Sequence, residues 1–61
     1  MFDERKWLAW CAEDSADRAR ECRADARRYL SWGDRYAHRT FMRMARAAWR
    51  DFAHYHRRLS A

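Results

Sequence analysis

Arg35, Arg39, Arg43, Arg46, Arg50 and Arg57 recur at steps of three, four and seven residues. A guanidinium is planar and permanently charged, and its N–H donors form a fork that meets two carboxylate or phosphate oxygens at once. On a helix, the spacing gathers all six into a sector of ~80°. The row would be ~33 Å long at the standard helical rise. Like charges three or four residues apart cost ~0.2–0.5 kcal/mol per pair, and four such steps link Arg35, Arg39, Arg43, Arg46 and Arg50. One reading is a solvated face in a protein biased towards arginine. An ordinary solvated face intersperses acids, however, and the interior of this segment offers only Asp51, which lies off the row. The other reading is that something negative meets this face when the protein works.

The negative group has three possible sources. Asp14, Asp17, Glu21 and Asp25 form an acidic row in the first half of the chain, and between molecules this row could meet the arginines. Local pairing with Arg18, Arg20 and Arg28 is the expected fate of most of these acids. Nucleic acid is a second source: the arginines would follow phosphates with strong salt dependence, and Tyr36, Trp49 or His54 would stack on unpaired bases. No helix-turn-helix spacing, zinc finger or leucine-zipper extension accompanies the arginines. An acidic protein surface is the third source. Arginine and tryptophan are enriched at protein–protein hot spots, so Trp10 and Trp49 join the arginines as candidate contact residues.

Other chemistry is excluded by spacing. His38 and His56 would sit ~27 Å apart on a helix and cannot share a metal; His54 and His56 point to different sides. Cys11 and Cys22 would lie ~16 Å apart on one helix, too far for a disulfide. Neither thiol has a base at nucleophile-activating spacing. Asp14 with Asp17 reads as helix-start chemistry rather than as an acid–base pair. We therefore expect no catalytic site, no metal and no cofactor.

The element carrying the arginines must be a long helix, and the sequence supplies one. Ser31-Trp32-Gly33-Asp34 is the one clear interruption: Gly33 can close a helix in the left-handed conformation and Asp34 is a good N-cap for the next. The chain reads as a single all-α domain over 1–61, with one helix over about 3–31, a turn at 31–34 and a second helix over about 34–59. So short a link makes the helices an antiparallel hairpin. A break near residues 13–15, with Asp14 as cap and Asp17 as the capping-box acid, is the three-helix alternative. The first helix carries a seam of Leu8, Cys11, Ser15, Ala19, Cys22, Ala26, Tyr29 and Leu30. The second carries Phe41, Ala45, Ala48, Phe52, Tyr55 and Leu59, flanked by Met44 and Trp49. The expected packing sets the bulky second seam on the small first one. Trp7 and Trp10 fall off the seam, which leaves at least one of them for another surface.

Composition agrees. There is no proline, one glycine, and neither valine nor isoleucine, so little opposes a helix and strands lack their favoured residues. Twelve of the 61 residues are alanine, so the core is thin, and chains this short often need a second copy. We expect a homodimer, a four-helix bundle being one form, or a partner-bound monomer. The net charge of +5 comes from thirteen Arg and one Lys against nine acids. Residues 1–31 balance seven basic with seven acidic groups, whereas residues 32–61 hold seven basic and two. The charged N-terminus has no apolar run behind it, and no stretch approaches membrane-spanning length. A basic amphipathic helix with Trp and Phe can lie on a membrane surface, but the alanine seams and charged first helix favour a self-packed chain. Free thiols fit a reducing compartment, so a cytoplasmic, non-membrane protein is expected.

In size, helicity, arginine content and lack of a catalytic constellation, the chain resembles small proteins carried by phages and mobile elements. Anti-CRISPR proteins and helical-hairpin regulators of RNA pairing are examples. The resemblance rests on size and composition, not on a motif. It implies a stoichiometric inhibitor or adaptor docking its arginine face on an acidic protein surface or nucleoprotein complex. The alternative is direct nucleic-acid binding by a hairpin dimer, and a third reading pairs acidic and basic rows between copies in an oligomer.

Overall fold

The computed structural model describes all residues, 1–61, as two helices: α1 over Glu4–Ser31 and α2 over Arg35–Ser60. Each starts where an aspartate can satisfy free backbone donors. Asp3 Oδ1 accepts from the backbone N–H groups of Arg5 and Lys6 at 3.1 and 3.2 Å. Asp34 Oδ1 accepts from that of Ala37 at 2.9 Å. α1 ends in paired reverse bonds: the Asp34 N–H donates to the Tyr29 carbonyl at 2.9 Å and the Gly33 N–H to that of Leu30 at 3.0 Å. This pairing requires a left-handed residue after the cap, and Gly33 has φ 84°. A Cβ at Gly33 would meet nothing within 4 Å, so Gly33→Ala costs only backbone strain. The expected loss is ~1–2 kcal/mol, measured by urea unfolding, with Gly33→Asn losing less.

α1 and α2 pack along their length as an antiparallel hairpin. Its centre is built from small side chains: Cys11, Ala12, Ser15, Ala16, Ala19 and Ala26 from α1, and Ala45 and Ala48 from α2, are buried, and Leu8 is the one larger buried residue. Small residues let two helix backbones approach closely, at the expense of apolar area. The bulky residues line the margins, where Phe41, Phe52, Tyr55 and Leu59 are half-buried. Tyr29 stacks on Phe41 at 5.2 Å, Trp7 meets Tyr55 edge-on at 6.1 Å, and Trp49 meets Phe52 edge-on at 5.4 Å. His38 donates from Nδ1 to the Ala26 carbonyl at 2.9 Å. At the open end, Arg58 pairs with Glu4 at 3.0 Å and Arg5 donates to the Leu59 carbonyl at 3.3 Å.

Three details differ from the sequence expectation. No break occurs near residues 13–15: α1 is continuous, Ser15 is buried against α2, and Asp14 pairs with Arg18 instead of capping. Leu30 is 49% exposed, because at its height on α1 only the turn lies beside it. Ala12 and Ala16, outside the expected seam, are buried by the margin of α2.

Ser15 is the largest fully buried side chain, and its Oγ has no hydrogen-bond partner. An unsatisfied buried hydroxyl costs ~1–3 kcal/mol. Ser15→Ala removes that cost in a better helix former, so thermal melting is expected to show a gain of about 1 kcal/mol.

The molecule is a slab of 49 × 17 × 12 Å. Its edges are the outward sides of α1 and α2, and its two broad faces are fixed by contacts across the hairpin. On one, the Arg20 guanidinium lies over the Trp49 ring at 6.0 Å; we call it the Trp49 face. On the other are the Trp7–Tyr55 contact and the Glu4–Arg58 ion pair; we call it the Trp7 face. Rotation by ~100° per residue places Arg23, Arg27 and Met42 on the Trp49 face. It places Asp14, Arg18, Cys22, Asp25, Tyr29 and Met44 on the Trp7 face.

Candidate anion-docking face

α2 runs unbroken from Arg35 to Ser60, so the arginine row is carried by one rod. Arg35, Arg39, Arg43, Arg46, Arg50 and Arg57 are all exposed. The helical phase sets them ~150° from the line of Phe41, Ala45, Ala48 and Phe52 that faces α1. None of them takes part in the four ion pairs of the chain, which use Arg18, Arg20, Arg28 and Arg58. Arg35 is the first residue of α2, and the first turn holds no acid. A cation there opposes the helix dipole, so its position is unfavourable for the helix itself.

The acidic row of α1 is largely satisfied within its own helix. Asp14 pairs with Arg18 at 3.1 Å, Asp17 with Arg20 at 2.9 Å and Asp25 with Arg28 at 3.2 Å. Glu21 is the one member left without an ion pair. These carboxylates occupy the outward edge of α1 and the adjoining Trp7 face, away from the arginine row.

The tryptophans named with the arginines do not join them. Trp49 is half-buried, packed on Phe52 and covered by Arg20, so it serves the hairpin. Trp10 is 63% exposed but sits on the outward edge of α1, across the molecule. Tyr36, 78% exposed, and His54, also exposed, do flank the row, ~60° from its centre.

Cations near the middle of α1 extend the basic surface. Arg23 and Arg27 of α1 are exposed and form no ion pair. Both lie on the Trp49 face, so the unpaired positive charge wraps from the edge of α2 onto α1. The overall charge balance of residues 1–31 concealed them; their helical phase, ~60° and ~100° from the Leu8 line, would have revealed them.

Cys11 and Cys22 are free thiols. No three His, Cys, Asp or Glu side chains gather at metal-binding distance, and the surface has no pocket. No helix is long and apolar enough to cross a membrane. What the arrangement presents is a row of exposed guanidinium groups carried over ~33 Å by one continuous helix. No family model, curated protein or solved structure matches the chain.

Proposed function

We propose that this chain is a non-enzymatic binding protein that lays the outward face of α2 along an acidic surface, or a nucleic-acid-binding site, of a larger complex. It acts there as a stoichiometric inhibitor or adaptor of the kind that phages and mobile elements carry. One observation supports this above the rest: the row is exposed and free of ion pairs although its chain holds nine acids. Stability alone gives no reason to set like charges side by side without carboxylates between them. An anionic partner does.

The decisive comparison is capture from a bacterial lysate by the parent and by Arg43→Glu/Arg46→Glu. A partner held by the parent and lost by the variant supports the proposal, and an identical set of captured proteins contradicts it.

Direct nucleic-acid binding is the second reading, favoured by the exposed Tyr36 ring beside the row, a platform on which an unpaired base can stack. Titration of labelled duplex DNA and single-stranded RNA at about 50 and 200 mM salt separates the two. Micromolar or tighter binding that weakens steeply with salt supports this second reading against the first.

A further inference from the structure

We infer that a second copy of this chain packs on the Trp7 face, forming a two-fold, four-helix dimer that leaves both arginine edges outside. The inference does not depend on the function proposed above.

The isolated hairpin is under-packed. Its largest fully buried side chain is Ser15, and chains below ~70–80 residues seldom stand on one core without a metal, disulfide or second copy. This chain has no disulfide and no metal-ligand cluster. Its remaining apolar area is at the margins. On the Trp7 face, Trp7 is 43% and Met44 48% exposed, and Tyr29, Phe41 and Tyr55 are half-buried.

Charge selects between the two broad faces. Across a two-fold axis, a surface meets its own copy. The Trp49 face carries Arg5, Arg20, Arg23 and Arg27 against Asp17, which pairs with Arg20, and Glu13 beside it, so it keeps a positive excess and two such faces repel. On the Trp7 face and its rim the cations are already matched: Arg58 to Glu4, Arg18 to Asp14 and Arg28 to Asp25. Asp51 and Glu21 add two unpaired carboxylates at the rim, outside the apolar centre of the face. This face can meet itself without uncompensated positive charge.

The area fits as well. A face bounded by 49 by 17 Å sets an upper limit of about 800 Å² per copy, so a copy that covers most of it reaches the amount a standard stable interface buries on each partner. The arginine row lies on the slab's edge, so dimerisation leaves it uncovered and doubles the number of docking edges.

Light scattering on the full chain, followed from about 1 to 500 µM, tests this directly. One chain is 7.6 kDa, and a limit of about 15 kDa is expected for two copies. Met44→Glu is expected to halve that mass, and Arg27→Glu on the opposite face to leave it unchanged. A parent that stays at one copy throughout overturns the inference. So does a Met44→Glu chain that remains dimeric, or an Arg27→Glu chain that separates.

Peroxide oxidation of the parent provides a readout that needs no variant. Met44 should be oxidised more slowly at high than at low protein concentration, while Met42 reacts alike at both. Equal rates for Met44 also overturn the inference.

Discussion

An Arg43→Glu/Arg46→Glu chain is expected to melt above the parent's temperature and to lose its partner. The two effects have separate physical origins. In the parent, Arg39–Arg43 and Arg46–Arg50 are like-charge neighbours four residues apart, and Arg43–Arg46 are three apart. Carboxylates at both positions turn the two four-residue steps from repulsive to attractive and leave the middle step like-signed. The net gain is roughly 1 kcal/mol, or ~4–8 °C in a chain this short. Binding moves the other way. Each substitution removes a guanidinium fork and places a carboxylate against an anionic surface. Loss of two central contacts is expected to weaken binding by at least about 100-fold. Thermal melting and affinity capture on the same preparation read both effects. Higher stability with unchanged capture would mean that the row is only a solvated face.

The second large effect concerns the seam. Ala19→Leu is expected to destabilise the hairpin by ~1–3 kcal/mol, lowering the melting temperature by about 5–20 °C. Ala19 is fully buried, and Ala26 and Ala45, of α1 and α2, are buried just as deeply. A leucine there has no void to occupy and must push the helices apart, stripping contact from Ala45 and Ala48. The same substitution would stabilise a hairpin whose helices stand further apart, because it would add apolar area to a poor core. The sign of the change, read by circular dichroism melting, therefore reports how closely the helices approach. A higher melting temperature would contradict the small-residue seam.

The hairpin was legible because its signals are local. Asp3, Gly33 and Asp34 act through bonds within a few residues of themselves, and the spacing of three and four that pairs Asp14, Asp17 and Asp25 with α1 arginines is visible in one dimension. The arginine row was legible for the same reason, since a helix fixes the phase of its own residues. What depended on α2 lying beside α1 was less accessible. A helical wheel shows that Leu30 is near the seam, but not that the partner helix ends short of it. It treats Ala12 and Ala16 as indifferent, although a neighbouring rod buries them. Trp49 looked available until its place under Arg20 was known, and Trp10 looked like a companion of the arginines until the hairpin set it on the opposite edge. Arg23 and Arg27 were masked by the balance of charges around them, and emerge once the broad faces are defined by contacts across the hairpin.

The central claim is that the outward face of α2 is where the protein meets its partner. Arginine-selective chemical modification, read by mass spectrometry on the free chain and on the captured complex, addresses that claim residue by residue. The account predicts protection of Arg35, Arg39, Arg43, Arg46, Arg50 and Arg57 in the complex, while Arg18 and Arg28 react as they do in the free chain. Protection confined to Arg18 and Arg28, with the α2 arginines still fully reactive, would contradict it.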